Sequence, residues 1–576
     1  MIEIAQTSLI AAGLVLPGWG WARRWHEGVL VAMVLSWLAI FGWTLLATVA
    51  LIPLSAGYLI VGQTLFGVMG WLLARRSGVV QWGVQWDLKL GVGWAVLPLV
   101  AVAIWKALAQ PLSGVDVDFR WNHLAEMMVK TGGLQFYPPT TAEDFAVYFW
   151  ADGIPPLVSS IYAWGYLVAG ETDRVWTAIP VLLQWSGILM VLKKLGDLCG
   201  GKDSGNGALL VGGSTFLLQF TVNLGQETGY TALGVGLMVY GIVQSRGNGG
   251  GPPAWLAGAG AALVASSREY GWAIVVAGFA VHAGMNWKAG KGWRHLGGWL
   301  LLVLPAIWYL RTWVIAGNPW LSLSMGGLFP VNPILANGWR VTGQFNGESL
   351  QTAAGWWEIG RLILLTAAPA LAGWIAGAFW LRRRPGWSAG VAVGAATIAV
   401  WLLSVSYTAG GIFYSMRVLS PLLLLGSAWG GVILAHKVES RCLRAVVAVV
   451  LSAWTIDASA RALTAVANPW TTPLREWSSV GYDWQHDFWR EQEVFFEEIV
   501  AVIPGCNGIL PVKIETTCRG GAPKFASCFR RIRRAIRSMG CAPGASITSC
   551  FTAPIFLTIS WSEPGCCRGS MVVSAR

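Results

Sequence analysis

The sequence predicts an all-α membrane protein that crosses the bilayer many times. Of its 576 residues, 55% are hydrophobic and 12% are charged, and the mean hydropathy is +0.55. Because soluble domains carry about a quarter charged residues, this composition argues against a cytosolic enzyme and against a disordered chain. No Asp, Glu, Lys or Arg occurs from Gly28 to Ala74, and one transmembrane helix needs only about 20 residues. The apolar runs are continuous, which favours helices over a β-barrel.

Apolar runs of membrane length predict about 13 to 14 transmembrane helices, covered on the outer face by a layer of loops and an interfacial helix. These runs lie near residues 7–22, 29–51, 56–74, 89–109, 175–193, 206–222, 228–244, 254–267, 271–286, 297–315, 359–379, 389–406, 417–435 and 442–460. The abundance of Gly and Trp suits close helix packing and anchoring at the membrane interface.

Basic residues between the runs predict the orientation. They cluster at Arg23 and Arg24, Arg75 and Arg76, Lys193 and Lys194, Lys288 to Arg294, Arg382 to Arg384, and Lys437 with Arg441. By the positive-inside rule this side is cytoplasmic. The net charge of +12 therefore reflects topology, and no nucleic-acid partner is expected. The opposite side receives residues 110–153, 223–228, 266–270, 316–357, 407–416 and the chain after about 461.

One apolar run, 154–169, is predicted not to cross. Two runs lie between the outer segment 110–153 and the cytoplasmic Lys193, where an odd number of crossings is required. Run 154–169 is the shorter of the two and begins at Pro155 and Pro156. We therefore predict that it lies along the outer interface as a covering helix.

Candidate chemical groups follow directly on the fourth run. Asp116 and Asp118 are followed by Arg120 and His123. A carboxylate near an interface can be tuned to accept a proton from a hydroxyl, so this segment fits a general base with a cationic partner. The alternative is a solvated loop with ordinary charges.

Two outer turns carry further ionisable groups. Glu227 begins one helix, and Arg268, Glu269 and Tyr270 join two very apolar runs. Such groups at membrane depth usually face a cavity or each other. The alternatives are that Glu227 only complements the helix dipole and that Arg268 and Glu269 form a structural ion pair.

A single arginine, Arg417, stands at the outer mouth of a later span, with Tyr407 and Tyr414 close by in the sequence. Arginine binds phosphate with two parallel hydrogen bonds, so Arg417 is a candidate for a phosphate group. The alternative is snorkelling to the interface.

The acidic pair Asp116-Val-Asp118 after an early outward span, Tyr137-Pro-Pro139, the later Pro155-Pro156 and the acidic outer turns form a pattern over roughly residues 90 to 440. This pattern resembles the GT-C superfamily of membrane glycosyltransferases, in particular the branches similar to protein O-mannosyltransferases, lipid A aminoarabinose transferases and rhizobial core transferases. Family members often carry adjacent Asp-Glu, so the spaced pair leaves open which carboxylate is catalytic.

The resemblance implies an inverting transfer of a sugar from a polyprenyl-phosphate donor to an acceptor hydroxyl on a glycan, lipid or protein, at the extracytoplasmic face of the cell membrane. It implies Asp116, then Asp118, as the general base. It implies donor-phosphate contacts from Arg268, Arg417 and Arg120, and acceptor-orienting roles for Glu227, Glu269, His123 and Tyr270.

No cofactor is required by this interpretation. A divalent metal is compatible with the acidic residues, but no ligand spacing supports one. Two other functions fit the same pattern: a transporter or flippase of a lipid-linked sugar, and an envelope polysaccharide polymerase or ligase.

Four regions are predicted. Residues 1–88 form N-terminal transmembrane helices, 89–460 the GT-C-like core with its outer loop 110–153, and 461–505 an extracytoplasmic helical segment. Residues 506–576 contain seven of the nine Cys and an Arg-rich stretch but lack helix or strand periodicity. This tail is therefore predicted to be disordered or non-native.

Overall fold

The computed structural model describes residues 2–24, 28–74, 96–97, 99–104, 112, 117–139, 153–245, 252–290, 293–332, 336, 350–405, 408, 411–464, 555–558 and 572–575. The chain divides into two units, Met1–Thr471 and Thr472–Arg576. All of the described helices belong to the first unit, and the two described strands belong to the second.

The first unit is a bundle of helices. They are α1 (Ile2–Val15), α2 (Trp19–Arg24), α3 (Val29–Val49), α4 (Ala56–Ala74), α5 (His123–Thr131), α6 (Leu157–Ala169), α7 (Ala178–Gly200), α8 (Lys202–Ser214), α9 (Phe216–Asn223), α10 (Glu227–Gln244), α11 (Pro252–Ser267), α12 (Gly271–Lys288), α13 (Val303–Ala316), α14 (Ala353–Thr366), α15 (Ala368–Trp380), α16 (Trp387–Ser404), α17 (Gly411–Ser415), α18 (Ser420–His436) and α19 (Arg441–Thr464). Shorter 3-10 segments are Leu16–Gly18, Arg174–Thr177, Trp293–Leu302 and Met416–Leu419, and Val117–Asn122 is a π-helical turn.

The predicted class, an all-α polytopic membrane protein, is confirmed. In the part of the chain that is described, seven helices are long and apolar enough to cross a membrane, or eight if one bent pair counts as a span. The sequence predicted about 13 to 14 transmembrane helices, which is more than these seven or eight. Several of the apolar runs form short or broken helices instead of one long helix. Run 206–222, for example, is divided at Thr215 into α8 and α9.

The run 359–379, expected to form one helix, is two helices. α14 and α15 meet at Ala367 and are bent by 93°. Pro369 lies in the first turn of α15, where its missing N–H costs no hydrogen bond, whereas inside a continuous helix it would break one. Hydropathy alone does not distinguish these cases, since both helices are apolar.

Helix α6 corresponds to the run that was predicted to be a covering helix. All residues from Leu157 to Tyr166 are buried, and Trp164 Nε1 donates to the carbonyl of Ile10 in α1 at 3.2 Å. Its 13 residues span about 20 Å at 1.5 Å per residue, which is less than the hydrocarbon thickness of about 30 Å. The helix is therefore short, as predicted, and it is enclosed by protein. Its place along the outer interface stays a prediction.

Helix α10 is almost completely enclosed, since every residue from Glu227 to Val243 is buried. It approaches α11 closely through Gly234 and Gly260. A Cβ on Gly260 would lie 2.3 Å from Met238 N and 2.5 Å from the carbonyl oxygen of Gly234. This contact brings the first turn of α10 beside the turn that follows α11.

In the second unit, β1 (Ile555–Thr558) pairs antiparallel with β2 (Val572–Ala575). Of the predicted segments 461–505 and 506–576, the structure describes only residues 461–464, which end α19, and these two strands. The predictions for these two segments therefore stay predictions.

The close approach of α10 and α11 makes Gly260→Leu destabilising. Forcing a larger side chain into a well-packed contact costs about 1 to 3 kcal/mol, so the thermal unfolding midpoint in detergent should fall. Gly284→Leu is the matched control, because position 284 in α12 is exposed and a Cβ there meets no atom of the described residues within 4 Å. Equal midpoints for the two variants would contradict the packing.

Candidate functional site

Three turns of the bundle meet at one end of α10. We call the following residues the charged cluster: Gln226, Glu227, Arg268, Glu269, Tyr270, Tyr414 and Arg417. They come from the start of α10, from the turn between α11 and α12, and from α17 with the 3-10 segment after it. These turns are separated by up to about two hundred residues in the sequence, so only the folded bundle places them together.

Arg268 lies between two carboxylates. Its Nε is 3.2 Å from Glu269 Oε1, and its Nη1 is 3.9 Å from Glu227 Oε1. The Arg268 side chain is 9% exposed and that of Glu227 is 1% exposed. The ion pair between the neighbouring residues Arg268 and Glu269 is therefore present, as one alternative predicted. Arg268 also pairs with Glu227, a second carboxylate on a different helix. Buried ionisable groups persist when they are paired in this way.

Arg417 is bound from the other side of the cluster. Its Nη1 donates to Gln226 Oε1 and to the Tyr414 hydroxyl, the latter at 2.7 Å. The Tyr414 hydroxyl donates to the same Gln226 oxygen at 3.0 Å, and the guanidinium carbon lies 3.9 Å from the centre of the Tyr414 ring. Arg417 is buried. It therefore points into the bundle and does not snorkel toward a membrane interface.

The pKa of Tyr270 is influenced by charged groups from all three turns of the cluster. Burial raises the pKa of the Tyr270 phenol above its ordinary value. Glu227 and Glu269 raise this pKa further, whereas Arg268 and Arg417 lower it. The phenol therefore stays protonated at neutral pH and is available as a hydrogen-bond donor.

Helix α6 connects the charged cluster to the segment that carries Arg120 and His123. The hydroxyl of Tyr166 donates to Asn122 Oδ1, and the hydroxyl of Tyr162, one turn earlier, donates to the carbonyl oxygen of Gly225. Asn122 in turn donates to Glu126 Oε1 at 2.6 Å. Positions i and i+4 of a helix lie on one face, so one face of α6 joins the two parts of the site.

The sequence-predicted residues fall into three groups. Glu227, Arg268, Glu269, Tyr270 and Arg417 come together in the charged cluster. Arg120, which is buried, and His123, which is partly buried, belong to the neighbouring segment held by Asn122.

The two candidate bases lie outside the described residues. Asp116 is not described, and the same holds for the side chain of Asp118, whose backbone is part of the π-helical turn. Their role as general base stays a prediction.

Sequence reasoning did not assign Gln226, Tyr414 or Tyr162 to the site. Gln226 and Tyr414 lie in the predicted outer segments 223–228 and 407–416, so their position was a signal. Tyr414 contacts Arg417 three residues away, whereas Gln226 contacts it across 191 residues of sequence. Tyr162 lies within an apolar run and carries no local sign of its partner. Within the described ranges, no group of three or more His, Cys, Asp or Glu side chains is arranged to hold a metal ion.

The opposite end of the same helices carries basic residues. His436 at the end of α18 contacts the carbonyl oxygen of Gly200 at the end of α7, and Lys194 Nζ lies 5.5 Å from the centre of the Tyr240 ring. The charged cluster and this basic end are thus separated by the length of α10, as the predicted topology requires. Which end faces the cytoplasm stays a prediction.

No protein-family model matches the chain, and no curated protein matches it. Among solved structures, it is similar to a crystal structure of the Archaeoglobus fulgidus oligosaccharyltransferase tethered to an acceptor peptide. The identity is 11% and the TM-score is 0.39. The matched region covers 76% of this chain and 61% of that protein, so the chain spans about three fifths of its length.

Replacing Arg268 tests the buried ion pairs. Arg268→Met removes the cation that pairs with Glu227 and Glu269, and removing one partner of a buried pair costs about 3 to 5 kcal/mol. The thermal unfolding midpoint should fall strongly. Arg361→Met is the control, because Arg361 pairs with Glu358 at 2.7 Å while both side chains are 40% exposed, and an exposed ion pair adds little to stability. Equal shifts would contradict a buried Arg268.

Proposed function

We propose that this protein is an integral-membrane glycosyltransferase that uses a polyprenyl-phosphate sugar as donor and an extracytoplasmic hydroxyl as acceptor. The observation that carries the proposal is the charged cluster, in which two buried arginines and two carboxylates meet at one end of an apolar bundle. A donor with an anionic phosphate and a long apolar chain matches this combination of a charged end and lipid-facing helices.

The arginines supply the binding of the phosphate. A guanidinium presents parallel donors that match two phosphate oxygens, and donors held in a buried site stabilise developing charge more than they do in water. Arg417 and Arg268 come from two different turns of the cluster and have different partners. Arg120 is the third candidate, from the segment that α6 holds beside it. These residues would hold the phosphate both as part of the donor and as the leaving group.

The reaction is a single displacement. A carboxylate, Asp116 by first choice and Asp118 by second, takes the proton of the acceptor hydroxyl as its oxygen forms a bond to the anomeric carbon. The bond between that carbon and the phosphate oxygen breaks, and the electron pair leaves with the phosphate. Attack opposite the leaving group inverts the anomeric configuration. Glu227, Glu269, His123 and Tyr270 orient the acceptor.

The distribution of buried charge favours this enzyme over a transporter. Charged groups that line a conduction path are spread through the bilayer. The described charged residues that are buried are Arg120, Lys193, Glu227, Arg268 and Arg417. Of these, only Lys193 belongs to the opposite end, and it pairs with Asp197 at 2.7 Å. Glu227, Arg268 and Arg417 lie in the charged cluster and Arg120 lies in the segment beside it, so the buried charges concentrate at one end of the bundle.

Arg417→Gln should abolish most sugar transfer from a polyprenyl-phosphate donor by the purified protein. Losing one preorganised donor to the leaving group lowers the rate by about 100-fold to 1000-fold. The exposed Arg361→Gln serves as the control and should retain wild-type transfer. An Arg417→Gln variant that folds and transfers sugar at the wild-type rate would remove the phosphate role of Arg417.

The two candidate bases are compared in the same assay. General-base catalysis contributes about 100-fold to 10,000-fold to a rate, so Asp116→Asn should reduce kcat by that amount and Asp118→Asn by less. The reverse order would move the base to Asp118. Full activity of both variants would rule out this acidic pair as the base.

A further inference from the structure

A second set of buried polar groups lies just inside the bundle from the charged cluster. Gln184 of α7, Thr228 and Tyr230 of α10, and Trp37 of α3 are all at most 1% exposed. In the described part of the chain, no hydrogen-bond partner exists for Gln184 Nε2 and Oε1, Thr228 Oγ1, Tyr230 Oη or Trp37 Nε1. We call these four residues the inner polar group.

Packing of three helices places the inner polar group at one level of the bundle. Gln184 lies against the α10 backbone between Thr228 and Tyr230, since a Cβ on Gly229 would be 1.6 Å from Gln184 Nε2. The rings of Trp37 and Tyr230 are in edge contact, with centroids 5.1 Å apart. The three helices α3, α7 and α10 therefore meet around these side chains.

The inner polar group continues directly from the charged cluster. Tyr230 follows Glu227 by three residues, about 4.5 Å along the helix axis, and on the same helix face. Glu227 itself is 1% exposed, and its Oε2 has no hydrogen-bond partner among the described residues. Glu227 Oε2 and the Tyr230 side chain therefore belong to one face of α10, within one helical turn of each other.

The chemistry of these atoms selects the kind of group they bind. An unmet hydrogen bond on a buried polar atom is unfavourable, so several such atoms together indicate a polar occupant. Trp37 offers only a donor, the Gln184 amide offers both donor and acceptor, and the two hydroxyls also offer both. A phosphate would use only the donors and a cation only the acceptors. Neutral hydroxyl groups, each of which donates and accepts, match the mixture.

We propose that the inner polar group is the subsite for the sugar ring of the donor, which it recognises through the ring hydroxyls. This inference rests on the proposed function and deepens it, because it places the transferred sugar beneath Glu227, on the bundle side of the phosphate-binding arginines. The group determines which sugar is accepted, whereas the arginines bind the phosphate that all such donors share.

Tyr230→Phe isolates this role. The substitution removes only an oxygen that has no hydrogen-bond partner among the described residues, and replacing an unsatisfied polar atom by an apolar one is neutral or stabilising. A purely structural tyrosine therefore predicts a variant at least as stable as the wild type with unchanged binding. A sugar-binding tyrosine predicts the same stability and weaker binding of the sugar.

Binding is measured with the full chain in lipid nanodiscs. The probes are bare polyprenyl phosphate and a panel of polyprenyl-phosphate hexoses and N-acetylhexosamines. The variants are Tyr230→Phe, Gln184→Leu and Arg417→Gln. Tyr58→Phe is the matched control, because this α4 hydroxyl donates to the carbonyl of Trp43 at 3.1 Å and belongs to neither polar set. Thermal unfolding of each variant without donor confirms that it is folded.

The wild type and Tyr58→Phe should bind one sugar-loaded donor at least tenfold more tightly than bare polyprenyl phosphate. Tyr230→Phe and Gln184→Leu should lose most of that preference and keep the affinity for the bare lipid, whereas Arg417→Gln should weaken both. An unchanged preference in folded Tyr230→Phe and Gln184→Leu would overturn the subsite and indicate bound water only, as would a wild type without any preference. A wild type that binds neither probe would overturn the proposed function itself.

Discussion

Pairing of buried charge is the constraint on which the rest of this structure depends. Glu227 and Arg268 are almost completely removed from solvent, and an isolated charge in such a place is prohibitively costly. Each therefore requires a partner from another turn of the chain, and the helices that carry those turns have to approach closely. The glycine contact between α10 and α11 permits this approach. The charged cluster is thus a consequence of the packing and also a reason for it, since separating the turns would leave charges unpaired in an apolar bundle.

The short helix α6 gives the site its second half. A helix of 13 residues cannot cross the bilayer alone, yet it is buried, and two of its tyrosines form hydrogen bonds with neighbouring segments. One tyrosine contacts the segment containing Arg120 and His123, and another contacts the backbone beside Gln226. In this arrangement the helix fixes the distance between two regions that the sequence separates by about a hundred residues. Asp116 and Asp118 precede Arg120 in the sequence by four and two residues, so the proposed base belongs to the chain segment that α6 holds.

The sequence predicted the features that follow from local composition. Long apolar runs gave the class and most helix positions, and the alternation of basic clusters with acidic turns placed Glu227, Arg268 and Arg417 at one end. The bend at Ala367 was not predictable from hydropathy, since the apolar run continues across it without a break. The enclosure of α6 depends on its neighbours, and a run of apolar residues looks the same facing lipid or protein. Gln226 is recognisable as a partner of Arg417 only when distant turns are brought together, because it is an ordinary polar residue in its own sequence context.

The convergence of distant turns is tested most directly by crosslinking in the folded protein. In a variant without native cysteines, Gln226→Cys is combined with Tyr414→Cys, or with Ser388→Cys as the control. Ser388 follows Gly386, a Cβ on which would be 2.7 Å from Val243 Cγ2, near the far end of α10 and about 25 Å from Gln226 at 1.5 Å per residue. The account predicts that a short bifunctional thiol reagent joins 226 to 414 efficiently and does not join 226 to 388. Equal crosslinking of both pairs, or crosslinking of the control pair alone, would contradict it.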